Sequence, residues 1–149
     1  MRVEVDSSGV WGKMSEPTVF AFSNSLSRAL WLDPAVKKAC IEDIRRRKGR
    51  TDVNDYIRLY AISVFLLLRD SLGQFSEIVL DLEYPKKMGL VRIILLELIW
   101  ASDPQQANTP IRVQRIGKTS RAHDKANGVY RGEQLPDQQV QVKEILNLF

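Results

Sequence analysis

Polar and apolar positions alternate along the first residues, Arg2-Val3-Glu4-Val5-Asp6, as they do along a half-buried strand with two unlike faces. Ser7-Ser8-Gly9 stops the run and leaves Asp6 at its end, on the same face as Glu4. Val10 to Met14 reads as a short second strand that Gly12 weakens. Glu16-Pro17 marks a turn, and Thr18 to Phe22 is a β-prone run. Together these predict an N-terminal antiparallel hairpin or three-stranded meander. Ser23 to Trp31 reads as a short helix or turn.

The pattern then lengthens to the helical period. Asp33-Pro34 supplies an N-cap and a first-turn proline, Val36, Cys40 and Ile44 recur on one side, and Gly49 closes the helix. A second helix starts at Thr51-Asp52 and runs to Leu72, with Gly73 as its stop. Its stripe of Tyr56, Ile57, Tyr60, Ala61, Val64, Phe65 and Leu68 must be covered by a sheet or another helix. Glu77 to Pro85 is short, aliphatic and bounded by Gly73 and Pro85, which is the signature of a buried strand. Ile78, Leu80 and Leu82 share one face; Val79, Asp81 and Glu83 share the other. A helix over Leu90 to Ala101, a loop over Ser102 to Pro110 and a strand over Ile111 to Ile116 follow. Strand, helix and strand at this spacing predict a parallel, right-handed βαβ unit. Ser120 to Tyr130 reads as a helix, Gly132 to Gln138 as a loop, and Gln139 to Leu148 as a final amphipathic helix.

The expected fold is therefore α/β: a mixed sheet with an N-terminal antiparallel hairpin or meander, C-terminal parallel βαβ strands, and helices packed on the sheet. No linker or repeat divides residues 1–149, which form a single domain. The apolar fraction of 44% and charged fraction of 27% are ordinary for a globular chain. The longest apolar runs, Val64 to Leu68 and Gly89 to Trp100, fall short of the roughly 20 residues a spanning helix needs. Acids at Glu4 and Asp6 replace the apolar core of a secretory leader, and the lone Cys40 excludes an intrachain disulfide, so a cytoplasmic location without membrane contact is expected.

Charge changes the picture more than composition does. The net charge of +4 is concentrated in two stretches. Lys37 to Arg50 carries Lys37, Lys38, Arg45, Arg46, Arg47, Lys48 and Arg50; Arg112 to Arg131 carries Arg112, Arg115, Lys118, Arg121, Lys125 and Arg131, with His123. Such faces suit a polyanion, and Arg45, Arg46, Arg47, Lys118 and Arg121 are the candidate nucleic-acid contacts; two solvated faces are the plainer alternative.

Carboxylates at the ends of apolar strands are the chief candidate chemistry. Buried charge needs a cation, a metal or an open crevice. Other motifs fail: Gly117-Lys118-Thr119 lacks the earlier P-loop glycine, since position 112 is Arg. His123 is the only histidine and Cys40 the only cysteine, and no serine lies in a nucleophile elbow.

The order of elements is that of the ribonuclease H-like fold: two or three strands, helix, strand, helix, strand, helix. The chain resembles that superfamily over most of its length, and Val5-Asp6-Ser7-Ser8-Gly9 looks like the strand–Asp–x–Ser–Gly opening of some of its members. The resemblance implies a metal-dependent nuclease in which carboxylates at the ends of the first and fourth strands and in the last helical region hold Mg²⁺ or Mn²⁺. Asp6, Asp81 and Asp124 match those positions, Glu83 is a spare carboxylate, and His123 and Lys118 could assist. The departures are a meander compressed into residues 1–22 and a long insert from Ser23 to Leu72. For the family's first-helix Glu, the candidates are only Glu42 and Asp43. A non-catalytic nucleic-acid-binding protein, or a self-associating one using Trp11, Trp31, Trp100 or the C-terminal Ile145-Leu146-Leu148-Phe149, is the alternative.

Overall fold

The computed structural model describes residues 1–149. The strands are β1 (Arg2–Ser8), β2 (Thr18–Ser23), β3 (Ser27–Leu32), β4 (Glu77–Asp81), β5 (Ile111–Gln114) and β6 (Gln138–Gln139). The helices are α1 (Pro34–Lys48), α2 (Val53–Leu68), α3 (Met88–Ser102), α4 (Arg121–Tyr130) and α5 (Val142–Leu146). The chain is α/β, with one six-stranded mixed sheet in the order β5-β4-β1-β2-β3-β6. β1, β2 and β3 form the antiparallel meander, and β4 lies parallel to β1 on its other side, with β5 parallel to β4.

Alternation decides what each face buries. Val3, Val5, Phe20, Phe22, Leu30, Leu32, Ile78 and Leu80 join the large core with α2 and α3. Val19, Ala21 and Ala29 face the opposite way and pack on Ala126 and Val129 of α4. Glu4 and Asp6 of β1, and Val79 and Asp81 of β4, therefore turn to the α4 side. Both long helices start as their sequence says: Asp33 accepts from the Ala35 amide, and Asp52 and Asp55 form a reciprocal capping box. No helix is long and apolar enough to cross a membrane.

Four elements differ from the sequence reading. Val10 to Met14 is a turn, not a strand. Gly9 at φ 86° swings the chain away, and Trp11 drops into the core, its Nε1 donating to the Tyr56 carbonyl at 3.0 Å. Trp11 is thus 4% exposed and no sticky patch. Ser23 to Trp31 holds a strand, β3, turned back on β2 by Asn24 and Ser25. Ala29 and Trp31 pack on one core and Leu30 and Leu32 in the other, so no polar face betrayed the strand period. The C-terminal helix is shorter than Gln139 to Leu148. Asp137 to Val140 is drawn onto the free edge of β3, where Asp137 N–H reaches the Ala29 carbonyl at 2.9 Å and Val140 N–H the Trp31 carbonyl at 3.2 Å. The second long helix also stops at Leu68 and tightens into a 3-10 turn over Arg69–Gln74.

Candidate metal centre and adjoining cleft

Parallel pairing aligns Val5 of β1 with Leu80 of β4, so the carboxyl ends of both strands lie side by side. Asp6 and Asp81 follow those residues directly on the shared face, and Glu83 lies two residues past Asp81. Crevices of this kind, at the carboxyl ends of adjacent strands, are where open α/β sheets bind ligands. One oxygen from each of Asp6, Asp81 and Glu83 lies within 4.8 Å of the others.

Each carboxylate is held by its own donor. Asp6, 5% exposed, accepts the Ser7 amide on Oδ1 at 2.8 Å and faces His123 Nδ1 through Oδ2 at 3.1 Å. Asn127 Nδ2 lies 2.9 Å from His123 Nε2. With the amide donating there, the ring proton sits on Nδ1 and is donated to Asp6. Asp81 Oδ1 accepts the Ile116 amide at 2.8 Å, and Glu83 Oε2 accepts the Ser7 hydroxyl at 2.9 Å. Oδ2 of Asp81 and Oε1 of Glu83 carry no protein hydrogen bond.

No Lys or Arg forms an ion pair with any of the three; His123 is the only basic side chain in contact. Burial pushes the Asp6 carboxyl up from the ordinary range, and nearby Asp81 adds to it, against the lowering Ser7 amide and His123. Burial likewise raises Glu83, aided by Asp81 and Asp6 and opposed by the Ser7 hydroxyl. Beneath them Tyr60 is fully buried against Ser7, its phenol held well above its usual range by burial and by Glu83. The crevice therefore gathers negative charge that the protein itself does not neutralise.

An all-oxygen donor set of this charge suits a hard divalent cation, Mg²⁺ or Mn²⁺, rather than a soft one. The three oxygens lie within 4.8 Å of one another, close enough to be gathered around one such ion. Asp6, Asp81 and Glu83 fit such an ion.

The other sequence candidates fall elsewhere. Asp124 is exposed on α4 and outside the carboxylate cluster, and it forms no ion pair with Arg121 or Lys125. On α4 it is His123 and Asn127, one turn apart, that face the crevice. Glu42 is exposed, and Asp43 is engaged by Arg46 at 3.2 Å and Arg47 at 2.7 Å on α1. Arg45, Arg46 and Arg47 are solvent-exposed. Lys118 and Arg121 are exposed beside the start of α4, where Arg121, Ser120 and Glu4 border a polar hollow of about 420 Å³. The Ser120 hydroxyl donates to Glu4 there at 3.0 Å.

A cleft of about 520 Å³ opens from the carboxylates, sharing Ser7 and Glu83 with them. Gly9 lies in it at positive φ; a β-carbon there would collide with the Pro17 carbonyl oxygen and the Tyr130 ring. Tyr84 and Tyr130 form its aromatic walls. Tyr84 is braced edge-to-face on Tyr60 at 5.7 Å, which also meets Trp11 and Phe20. Sequence reading overlooked Ser7, Asn127, Tyr84 and Tyr130. The four-residue spacing of His123 and Asn127 was the one available signal, since the rest depends on which loops meet. Compared with protein-family models, curated proteins and solved structures, the chain matches none.

Proposed function

We propose that the chain is a divalent-metal-dependent nuclease of ribonuclease H-like type that acts on phosphodiesters. The carrying observation is the trio Asp6, Asp81 and Glu83, within 4.8 Å of one another and with no Lys or Arg paired to it. The meander followed by β4 and β5, parallel on the other side of β1, supports the same reading. When bound, Mg²⁺ or Mn²⁺ supplies charge stabilisation at the attacking and leaving oxygens of a phosphodiester. Asp6, Asp81 and Glu83 hold the ion. His123 orients Asp6 through its Nδ1 proton, Ser7 orients Glu83, and the Ile116 amide fixes Asp81. Lys118 and Arg121 contact the phosphate backbone nearby, and Arg45, Arg46 and Arg47 extend that contact over α1.

The test is thermal unfolding with Mg²⁺ or Mn²⁺ titrated into wild type and an Asp6→Asn, Asp81→Asn double variant, followed by cleavage assays on labelled DNA and RNA. A ligand that binds only the folded state raises its melting temperature. Wild type should be stabilised and should cleave; the double variant should do neither. An unresponsive wild type sinks the proposal.

A second reading, self-association without catalysis, is favoured by the outer side of α3, where Ile93 is 51% and Trp100 67% exposed. Sedimentation of wild type and Trp100→Lys would show a concentration-dependent mass in the first alone.

A further inference from the structure

The cleft beside the carboxylates is unused by the metal centre, and its chemistry specifies what it takes. Resting on the nuclease reading, we infer that it seats one unpaired nucleobase on Tyr130, next to the scissile phosphodiester, so that the substrate is single-stranded nucleic acid.

Continuity comes first. Glu83 belongs both to the carboxylate cluster and to the cleft wall, and Ser7, which donates to it, lines the cleft as well, so a group in the cleft is joined to one at the cluster within a nucleotide's reach. Size comes second. About 520 Å³ lies in the range of small-ligand pockets and is room enough for a base with its sugar.

Charge then separates base from backbone. The cleft has no Lys or Arg in its walls. Its acids are Glu83, a ligand of the metal centre, and Glu16, which Lys13 neutralises at 3.0 Å. Nothing there draws a phosphate, so the neutral part of a nucleotide belongs in it.

The walls suit a flat ring. Tyr84 and Tyr130 are both half-buried, and the Tyr84 hydroxyl has no hydrogen-bond partner within the protein, which leaves it free for the edge of a base stacked on Tyr130. The Tyr130 ring packs closely over Gly9, at a point where a β-carbon would strike it, so the absence of a side chain at position 9 is what lets the ring line the cleft. Stacking on an aromatic face is tolerant of sequence and contributes about 1–3 kcal/mol per base.

The experiment measures binding of a labelled ten-nucleotide single strand and its duplex in calcium, with cleavage followed on gels alongside. Wild type, Tyr130→Leu and Tyr130→Phe are compared, each checked for wild-type thermal unfolding and metal response. Wild type should prefer the single strand. Tyr130→Leu should weaken single-strand binding by about tenfold or more while keeping the metal-induced thermal shift, and Tyr130→Phe should restore affinity to near wild type. Equal affinity of the leucine variant, or equal affinity for the duplex, overturns the inference but leaves the nuclease reading standing. Failure of wild type to respond to metal, by contrast, is the failure of the reading beneath.

Discussion

At the scale of single residues, the carboxylate cluster is a place where the fold keeps charge it would be better without. Asp6 is buried, crowded by Asp81, and answered by one histidine. Replacing it by asparagine removes the charge and keeps the shape. Without divalent ions, Asp6→Asn should therefore unfold at a higher temperature than wild type. With Mg²⁺ the order should reverse. Thermal unfolding with and without EDTA checks both. Lys37 is the cationic counterpart, 2% exposed and far from any such exchange. Its ammonium lies 3.3–3.4 Å from the carbonyls of Val10, Trp11 and Lys13 and forms no ion pair. Burial lowers it to about 8, against a slight opposing pull from Glu16. The folded chain thus releases this proton before the unfolded chain does. Below pH 8 the cost of the buried ammonium is fully present. Between pH 8 and the ordinary lysine range the unfolded state binds more protons, so this group's contribution to stability rises with pH. Denaturant unfolding from pH 7 to 10 should show that rise in wild type and not in Lys37→Met.

At the scale of elements, β1 and the loop after it do most of the positioning. Gly9 ends β1 at positive φ beneath Tyr130 and beside the Pro17 carbonyl, neither of which has room to give. Gly9→Ala should cost about 2–3 kcal/mol, combining strained backbone with a backbone clash, and should lower metal response only slightly. Chemical denaturation and metal titration measure the two separately. Elements with one polar face were legible in the sequence. The alternation of Arg2 to Asp6 and of Glu77 to Glu83 put Asp6 and Asp81 on matching faces, and the capped starts of α1 and α2 were as read. β3 was not legible because Ala29, Leu30, Trp31 and Leu32 are covered from both sides by different cores. β6 was not, because two residues have no period, and only the hydrogen bonds of β3 recruit them. The turn at Val10 to Met14 was hidden for a third reason: the anchor, Trp11, binds a helix carbonyl remote in sequence. The site followed the same rule. Strand-borne acids were readable, whereas their partners Ser7, Asn127 and the Ile116 amide depend on where loops and α4 come to rest.

At the scale of the whole molecule, the two basic stretches are not equivalent. Arg46 and Arg47 are already tied to Asp43, while Lys118 and Arg121 stand unpaired at the start of α4, the helix whose His123 contacts Asp6. Each phosphate neutralised by a free cation steepens the salt dependence of single-strand binding by about 0.7. Lys118→Ala with Arg121→Ala should therefore flatten the salt slope for a single-stranded oligonucleotide by about 1.4, and Arg46→Ala with Arg47→Ala by less. Binding titrations across a range of salt concentrations decide it.

The sheet order has a consequence in time. β1 meets β2 almost as soon as both exist, but its other neighbour, β4, follows two long helices. Local contacts form fast, and contacts distant in sequence wait for the chain between them to close. The docking of β4 on β1 joins the meander to the parallel half of the sheet and, in the same step, drives Asp81 and Glu83 against Asp6. Repulsion among them opposes that last movement, and a cation bridging them relieves it. A divalent ion should then slow unfolding more than it speeds the early phase of refolding, which stopped-flow fluorescence from Trp11 would record.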